Sequence, residues 1–228
     1  MPAGRATRPG DRAGRARVSR PRRLVVVTGT STEVGKTWLA EKTLALLRAR
    51  GVSVAARKPA QSFAPDTGPT DSVRLADATG EDAHAVCPPH RSYPLPLAPP
   101  MAAEALGWPP VSLAELLAEL GWPDPPVAVG MVEGVGGPRS PLAADGDTVD
   151  LVDAIDPDLV VVVSDAGLGA INATRLTAAP FASRRVIVAL NHFGDDPLHE
   201  RNRSYLAKQY GFDVVARPSE LADQIMRL

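Results

Sequence analysis

Cysteine is nearly missing from these 228 residues: Cys87 stands alone, so no internal disulfide can form and the chain suits a reducing cytosol. Cys87 opens a proline-rich stretch with no evident base beside it, and it reads as incidental rather than nucleophilic. No apolar run approaches the roughly 20 residues a membrane-spanning helix requires. The apolar core of a secretory signal is also missing. A cytoplasmic protein with no membrane partner is therefore expected. Net charge is almost nil, with 25 Lys and Arg against 26 Asp and Glu. Neither nucleic acid nor an anionic surface would attract such a molecule as a whole. No internal repeat is visible. What remains is an ordinary globular composition, 44% hydrophobic and 22% charged, long enough for one well-buried domain.

The charge is unevenly placed. Residues 1–23 hold Arg5, Arg8, Arg12, Arg15, Arg17, Arg20, Arg22 and Arg23 against one acid, Asp11. Few residues there can enter a core, so 1–22 read as a disordered tail ahead of a single domain over 23–228. A start codon assigned too early explains the same segment equally well, and its Gly and Pro content argues against an amphipathic transit helix.

From Leu24 onward, apolar runs of strand length alternate with helical patterns. Leu24–Val27, Val52–Lys58, Val127–Val132, Leu159–Val163, Val186–Leu190 and Val214–Val215 read as strands. Thr37–Arg50, Asp71–Thr79, Ile171–Ala179, Leu198–Tyr210 and Leu221–Leu228 read as helices, the first two closed by Gly51 and Gly80. Residues 87–126 hold eleven of the 23 prolines, which excludes a central strand and leaves room only for short helices at Met101–Leu106 and Leu113–Leu120. Such alternation implies an α/β fold: a mostly parallel sheet with right-handed crossovers and helices on both faces.

Between the first strand and first helix lies Gly29-Thr30-Ser31-Thr32-Glu33-Val34-Gly35-Lys36-Thr37. A glycine-rich turn ending in Gly-Lys-Thr, after a strand and before a helix, is a phosphate loop. Its glycines let successive N–H groups curl toward phosphate oxygens, and the helix adds its positive end. Lys36 reaches the β- and γ-phosphates, and Thr37 offers a hydroxyl to Mg²⁺. The first glycine stands one residue earlier than in the usual pattern, with Thr30 where it would be. A second acid for the cation should end a neighbouring strand. Glu133, followed by Gly134-Val135-Gly136-Gly137, and Asp165 both qualify, and spacing does not choose between them.

Several segments together resemble ATP-dependent dethiobiotin synthetases: GTSTEVGKT at 29–37, RKPAQS at 57–62, Asp71, VEGVGG at 132–137, GLGAIN at 167–172, Asn191, Tyr205 and Pro218. The resemblance spans about residues 23–220 in the family's order and implies a P-loop NTPase fold. It favours Glu133, because the family's cation is held by residues matching Thr37, Asp71 and Glu133, leaving Asp165 a structural part. It implies closure of 7,8-diaminopelargonate with CO₂ (or bicarbonate) and ATP through a carbamate and a carbamic-phosphoric anhydride. Lys36, Lys58 and Thr32 match the catalytic residues. Glu33, Val34, Gly35, Lys36, Thr37, Asn191 and Pro218 match the nucleotide site. Ser62, Gly169, Ala170, Ile171, Asn172 and Tyr205 match the diamine site, which in the family is completed across a homodimer interface.

This sequence departs from the family at Ala173, where His is common, and at Pro138-Arg139-Ser140-Pro141, where an apolar segment is usual. Two other readings share the fold. A chromosome-partitioning ATPase switch lacks support because no extra lysine stands at positions 30–33. A cobyrinate-type amidotransferase ligase would need a glutaminase domain for which the chain leaves no room.

Overall fold

The computed structural model describes residues 20–228. The expectation of an Arg-rich tail concerns mainly residues 1–19, which lie outside the described residues. Residues 20–22 lie against the fold. Arg20 donates to the Asp156 carbonyl at 2.7 Å and Arg22 N–H to Val127 at 3.0 Å. The Pro21 ring covers Gly130, where a Cβ would come within 2.3 Å of it.

The described chain contains strands β1 (Arg23–Gly29), β2 (Val54–Arg57), β3 (Gln61–Ser62), β4 (Ser92–Tyr93), β5 (Val129–Glu133), β6 (Pro141–Ala143), β7 (Gly146–Asp147), β8 (Leu159–Asp165), β9 (Val186–Asn191) and β10 (Asp213–Val215). Between them run helices α1 (Lys36–Ala49), α2 (Asp71–Thr79), α3 (Ala83–Val86), α4 (Pro99–Ala105), α5 (Leu113–Glu119), α6 (Thr148–Ile155), α7 (Ala170–Ala178), α8 (Pro197–Tyr210) and α9 (Pro218–Met226). Six strands form one sheet in the order β10-β9-β8-β1-β5-β2, every neighbouring pair parallel. β3 pairs with β4 and β6 with β7 in two small ribbons.

Alternation along β1 sets the two layers. Val25 and Val27 face α1, α2 and α9, packing with Leu44, Leu75 and Leu221. Leu24 and Val26 face the opposite layer, with Ala102 of α4, Leu116 of α5 and Leu151 of α6. A strand buried on both faces can be apolar at every position, which explains the unbroken Val runs. The parallel α/β sheet read from the sequence is the sheet observed.

The differences in detail have physical causes. α8 and α9 begin earlier than their apolar pattern, because Pro197 and Pro218 occupy first-turn positions where a missing N–H costs nothing. α4 likewise opens on Pro99. β2 is shorter than the Val52–Lys58 run: Lys58 leaves the ladder, its N–H going to Val86 at 2.8 Å. α6 is absent from the sequence reading, although Asp147 and Asp150 form a capping box at its start.

Candidate functional site

Apart from Tyr205, which lies within α8, the predicted site segments lie at or beyond the carboxyl ends of strands in the six-stranded sheet, where open parallel α/β folds place ligands. The phosphate loop follows β1, residues 58–62 follow β2, and the 134–137 loop follows β5. Residues 167–172 follow β8, while Asn191 and Pro218 come at or after the ends of adjacent β9 and β10.

The loop geometry explains the early glycine. A Cβ on Gly29 would lie 2.6 Å from Val34 Cγ1 and 3.0 Å from Lys36 Cγ, so the returning loop needs a bare residue at that point. Gly35 has φ 96° and precedes α1 with no side-chain cap and no acid in the first turn. The first N–H groups of α1 are thus left to an anion. Asn191 is buried and donates to the Val34 carbonyl at 2.9 Å, so this predicted base-reading amide also clamps the phosphate loop. Thr32 and Glu33 are exposed at the loop crest. Lys36 is buried and donates to the Ser31 carbonyl at 2.8 Å. Burial, reinforced by the charge of Lys58, pushes its ammonium down to about 8.

Beneath the loop, four predicted residues meet. Thr37 Oγ1 donates among two carboxylate oxygens, 2.8 Å from Asp71 Oδ1 and 2.8 Å from Glu133 Oε1. Lys58 Nζ lies 2.6 Å from Glu133 Oε1 and 2.8 Å from Asp71 Oδ2. Burial works against charge on Lys58, but Glu133 and Asp71 outweigh it and hold the ammonium well above its ordinary range. Burial opposes ionisation of Asp71 too, yet Lys58 wins and pulls its carboxyl down. Glu133 is only 1% exposed, and burial pushes its carboxyl up despite Lys58. Its Oε2 is buried without a hydrogen-bond partner. Asp165 stands apart, accepting from Gly167 N–H at 2.7 Å and pairing with His192 at 2.8 Å.

The glycines after Glu133 bring their loop against the phosphate loop: a Cβ on Gly137 would lie 3.5 Å from the Gly29 carbonyl. Between these loops and α7 opens a cleft of about 580 Å³, lined by Thr32, Pro138, Ser140 and Thr177 among others. The Pro138–Pro141 segment that departs from the family pattern is therefore a cleft wall. Ser62, at the end of β3, has a buried hydroxyl with no partner. Gly169 (φ 91°) precedes α7 without a side-chain cap, next to Ala170, Ile171 and Asn172. Exposed apolar side chains occur next to it and on the neighbouring helices: Leu168 is 94% exposed, Leu176 farther along α7 68%, and Tyr205 of α8 48%.

Two side chains given no role in the sequence reading support these segments. Asn202 of α8 is buried and donates to the Ala166 and Gly167 carbonyls at 2.9 and 2.8 Å, fixing the turn before α7. Its spacing of four from buried Leu206 was the available signal. Gln61 is buried beside α2, and nothing local in the sequence announces its partners. Among the described residues no group of three or more His, Cys, Asp or Glu side chains gathers in a way that could hold a metal. No described helix is long and apolar enough to cross a membrane.

Comparison with known proteins adds names to this geometry. A family model described as an AAA domain matches residues 23–222. The chain is 38% identical to an ATP-dependent dethiobiotin synthetase of Rhodococcus jostii (strain RHA1), covering 84% of each chain. It is 42% identical to one from Streptomyces avermitilis, covering 72% of this chain and 67% of that one. Among solved structures, a plasmid partition protein from Borrelia burgdorferi superposes with a TM-score of 0.54, over 92% of this chain and 98% of that one. At 12% identity that likeness speaks for the fold alone.

Proposed function

The chain belongs to the ATP-dependent dethiobiotin synthetase family, and from that premise we propose that it is a cyclo-ligase making dethiobiotin from 7,8-diaminopelargonate, CO₂ and ATP. The observation that carries the reading is the convergence of Thr37, Lys58, Asp71 and Glu133 under the phosphate loop. One substrate amine adds CO₂ and loses a proton, giving a carbamate. A carbamate oxygen attacks the γ-phosphorus and ADP leaves. The second amine then attacks the carbonyl carbon of the carbamic-phosphoric anhydride, expelling phosphate as the ring closes.

The difficult encounter is between two anions, and preorganised cations lower its cost. Lys36 holds the β- and γ-phosphates. Lys58, kept charged by its carboxylate partners, faces the carbamate and the transferring phosphoryl group, and the Thr32 and Ser62 hydroxyls are assigned to the same reacting groups. Two carboxylates and one hydroxyl are hard oxygen donors, and the unpartnered Glu133 Oε2 is an unused ligand atom. That set fits Mg²⁺, a hard cation that prefers oxygen donors. Thr37, Asp71 and Glu133 would hold the ion, which would neutralise phosphate charge. Glu33, Val34 and Gly35 complete the phosphate cradle, and Asn191 and Pro218 flank the base.

The diamine's carboxylate is assigned to the uncapped start of α7, Gly169 to Asn172. The exposed Leu168 beside it, with Leu176 farther along α7 and Tyr205 on α8, suits a second copy of the chain, so the site is completed in a homodimer. The purified protein should release phosphate from ATP only when both diaminopelargonate and bicarbonate are supplied. Turnover without the diamine, stimulated by DNA or a partner protein, would refute this in favour of a partition-type switch.

A further inference from the structure

The start of α2 is held by a buried network to which the chemistry above gives no task. Thr70 occupies the cap position of α2 but makes no side-chain cap bond. Its hydroxyl lies 3.1 Å from Ser72 Oγ instead. The cap comes from another element: Gln61 of β3, only 3% exposed, accepts from Ser72 N–H at 3.0 Å. Its amide nitrogen donates to Ser72 Oγ at 2.9 Å and to Ser92 Oγ of β4 at 2.8 Å. The amide thus spends its carbonyl and both N–H groups, and ties the first turn of α2 to the β3–β4 ribbon. Leaving such a buried group unpaired is costly, so the arrangement is strongly determined.

Asp71 is the first residue of that helix, immediately before Ser72. Its two oxygens reach Thr37 and Lys58, both at 2.8 Å. The carboxylate's place depends on where the first turn of α2 is anchored, and the anchor is Gln61. Gln61 lies three residues after Lys58, so one short segment carries the lysine and fixes the acid facing it.

We propose that Gln61 is a positioning residue for Asp71, setting the affinity of the site for its divalent cation without touching nucleotide or diamine. This rests on reading Thr37, Asp71 and Glu133 as the cation site. Substitution of residues that orient metal-binding groups typically weakens metal binding about 10- to 100-fold.

The test is Mn²⁺ titration, followed by electron paramagnetic resonance of the free ion, on the full-length protein saturated with ADP. Gln61→Met keeps the side chain's length and removes its hydrogen bonds. It should weaken Mn²⁺ binding by about tenfold, while ADP affinity in EDTA stays within about twofold of wild type, because Lys36 is held by the Ser31 carbonyl and the loop backbone by Asn191, and only the Thr37 hydroxyl reaches α2. If Gln61→Met does not fold, Ser72→Ala, which deletes the hydroxyl contacts to Gln61 and Thr70 but keeps the backbone bond to Gln61, should weaken Mn²⁺ about threefold, less than the roughly 10-fold or more expected when the whole support is lost. Wild-type Mn²⁺ affinity in Gln61→Met (or in Ser72→Ala where that is the variant measured), with a clear loss in Asp71→Asn, overturns the role of Gln61 and leaves the cation site standing. Wild-type Mn²⁺ affinity in Asp71→Asn removes the cation reading and this proposal together. An equal loss of ADP affinity in EDTA also overturns it, since Gln61 would then only maintain the general fold of the site.

Discussion

Removing Lys58 is the sharpest perturbation the structure offers. The Lys58 and Glu133 side chains are 3% and 1% exposed and meet at 2.6 Å. Lys58→Met preserves length and apolar stem but strands Glu133, whose Oε2 already lacks a partner. Stranding one member of a buried pair costs about 3–5 kcal/mol. Asp71 also loses its cation, but its side chain is 37% exposed and water replaces the ammonium at little cost. For a domain of this size each kcal/mol moves Tm by about 2–4 °C, so the variant should melt roughly 6–20 °C lower.

Glu133→Gln should cost less, about 1–3 kcal/mol, because Lys58 keeps Asp71 and the Gly134 carbonyl at 3.1 Å. The double variant removes both buried charges together. It should be no less stable than Lys58→Met alone, which needs a coupling energy at least equal to the cost of Glu133→Gln, about 1–3 kcal/mol and in the range for groups in contact. The assay is urea unfolding at near-neutral pH in EDTA without nucleotide, so that folding alone is measured. Additive single effects, or a Lys58→Met protein within about 1 kcal/mol of wild type, would show that the pair is not the buried counter-charge described here.

Other expectations follow from single contacts. Lys36→Ala should abolish ATP turnover with the diamine and bicarbonate present, read as phosphate release. Asp165→Asn should change kcat/KM less than about threefold, since a half-exposed ion pair contributes little. A loss as severe as in Glu133→Gln would reverse the assignment of cation ligands. Cys87 is 2% exposed, and burial raises its thiol from 9.0 to about 12. The native protein should therefore resist a thiol reagent that labels it in urea, because the thiolate is the reactive form. The sign of the linkage is fixed: the folded thiol keeps its proton longer than the unfolded one, so this contribution to stability is whole below pH 9.0 and lost as pH rises toward about 12. Leu176→Glu, which places charge on an α7 side chain 68% exposed at the cleft, should convert the proposed dimer to monomers in sedimentation and raise the KM for the diamine.

The six strands of the main sheet were legible because burial on both faces leaves apolar runs, whereas the short β3, β4, β6 and β7 bury no such run and were missed. Helix α2 was legible to the residue because Asp71 opens it and Gly80 closes it in a left-handed conformation. The sequence pattern gave out where polar residues continue a regular element. Glu133 and Asp165 remain in their ladders beyond the last apolar residue, and prolines start three helices inside segments that composition marks as broken. Strand order was not legible at all, since nothing local says that β1 lies between β5 and β8.

The same divide runs through the site, and it explains which residues a motif can carry. Thr37, Lys58, Asp71 and Glu133 each sit at a fixed offset from a strand end or helix start, so a family pattern could name them before any contact was known. That they meet follows from topology, because β2, β5 and β1 are adjacent and parallel and deliver their carboxyl ends to one place. Asn202 has no such offset, and Gln61, though it lies in the 57–62 segment three residues after Lys58, has partners that this segment does not announce. Each is an amide whose worth depends on carbonyls and hydroxyls brought to it from distant segments, and each is buried with its bonds made. An enzyme of this kind therefore writes its reacting groups into short motifs, while their aim rests on contacts that form only when distant segments meet. Variation in aim, as at Gln61, should tune cation affinity while every reacting residue stays the same.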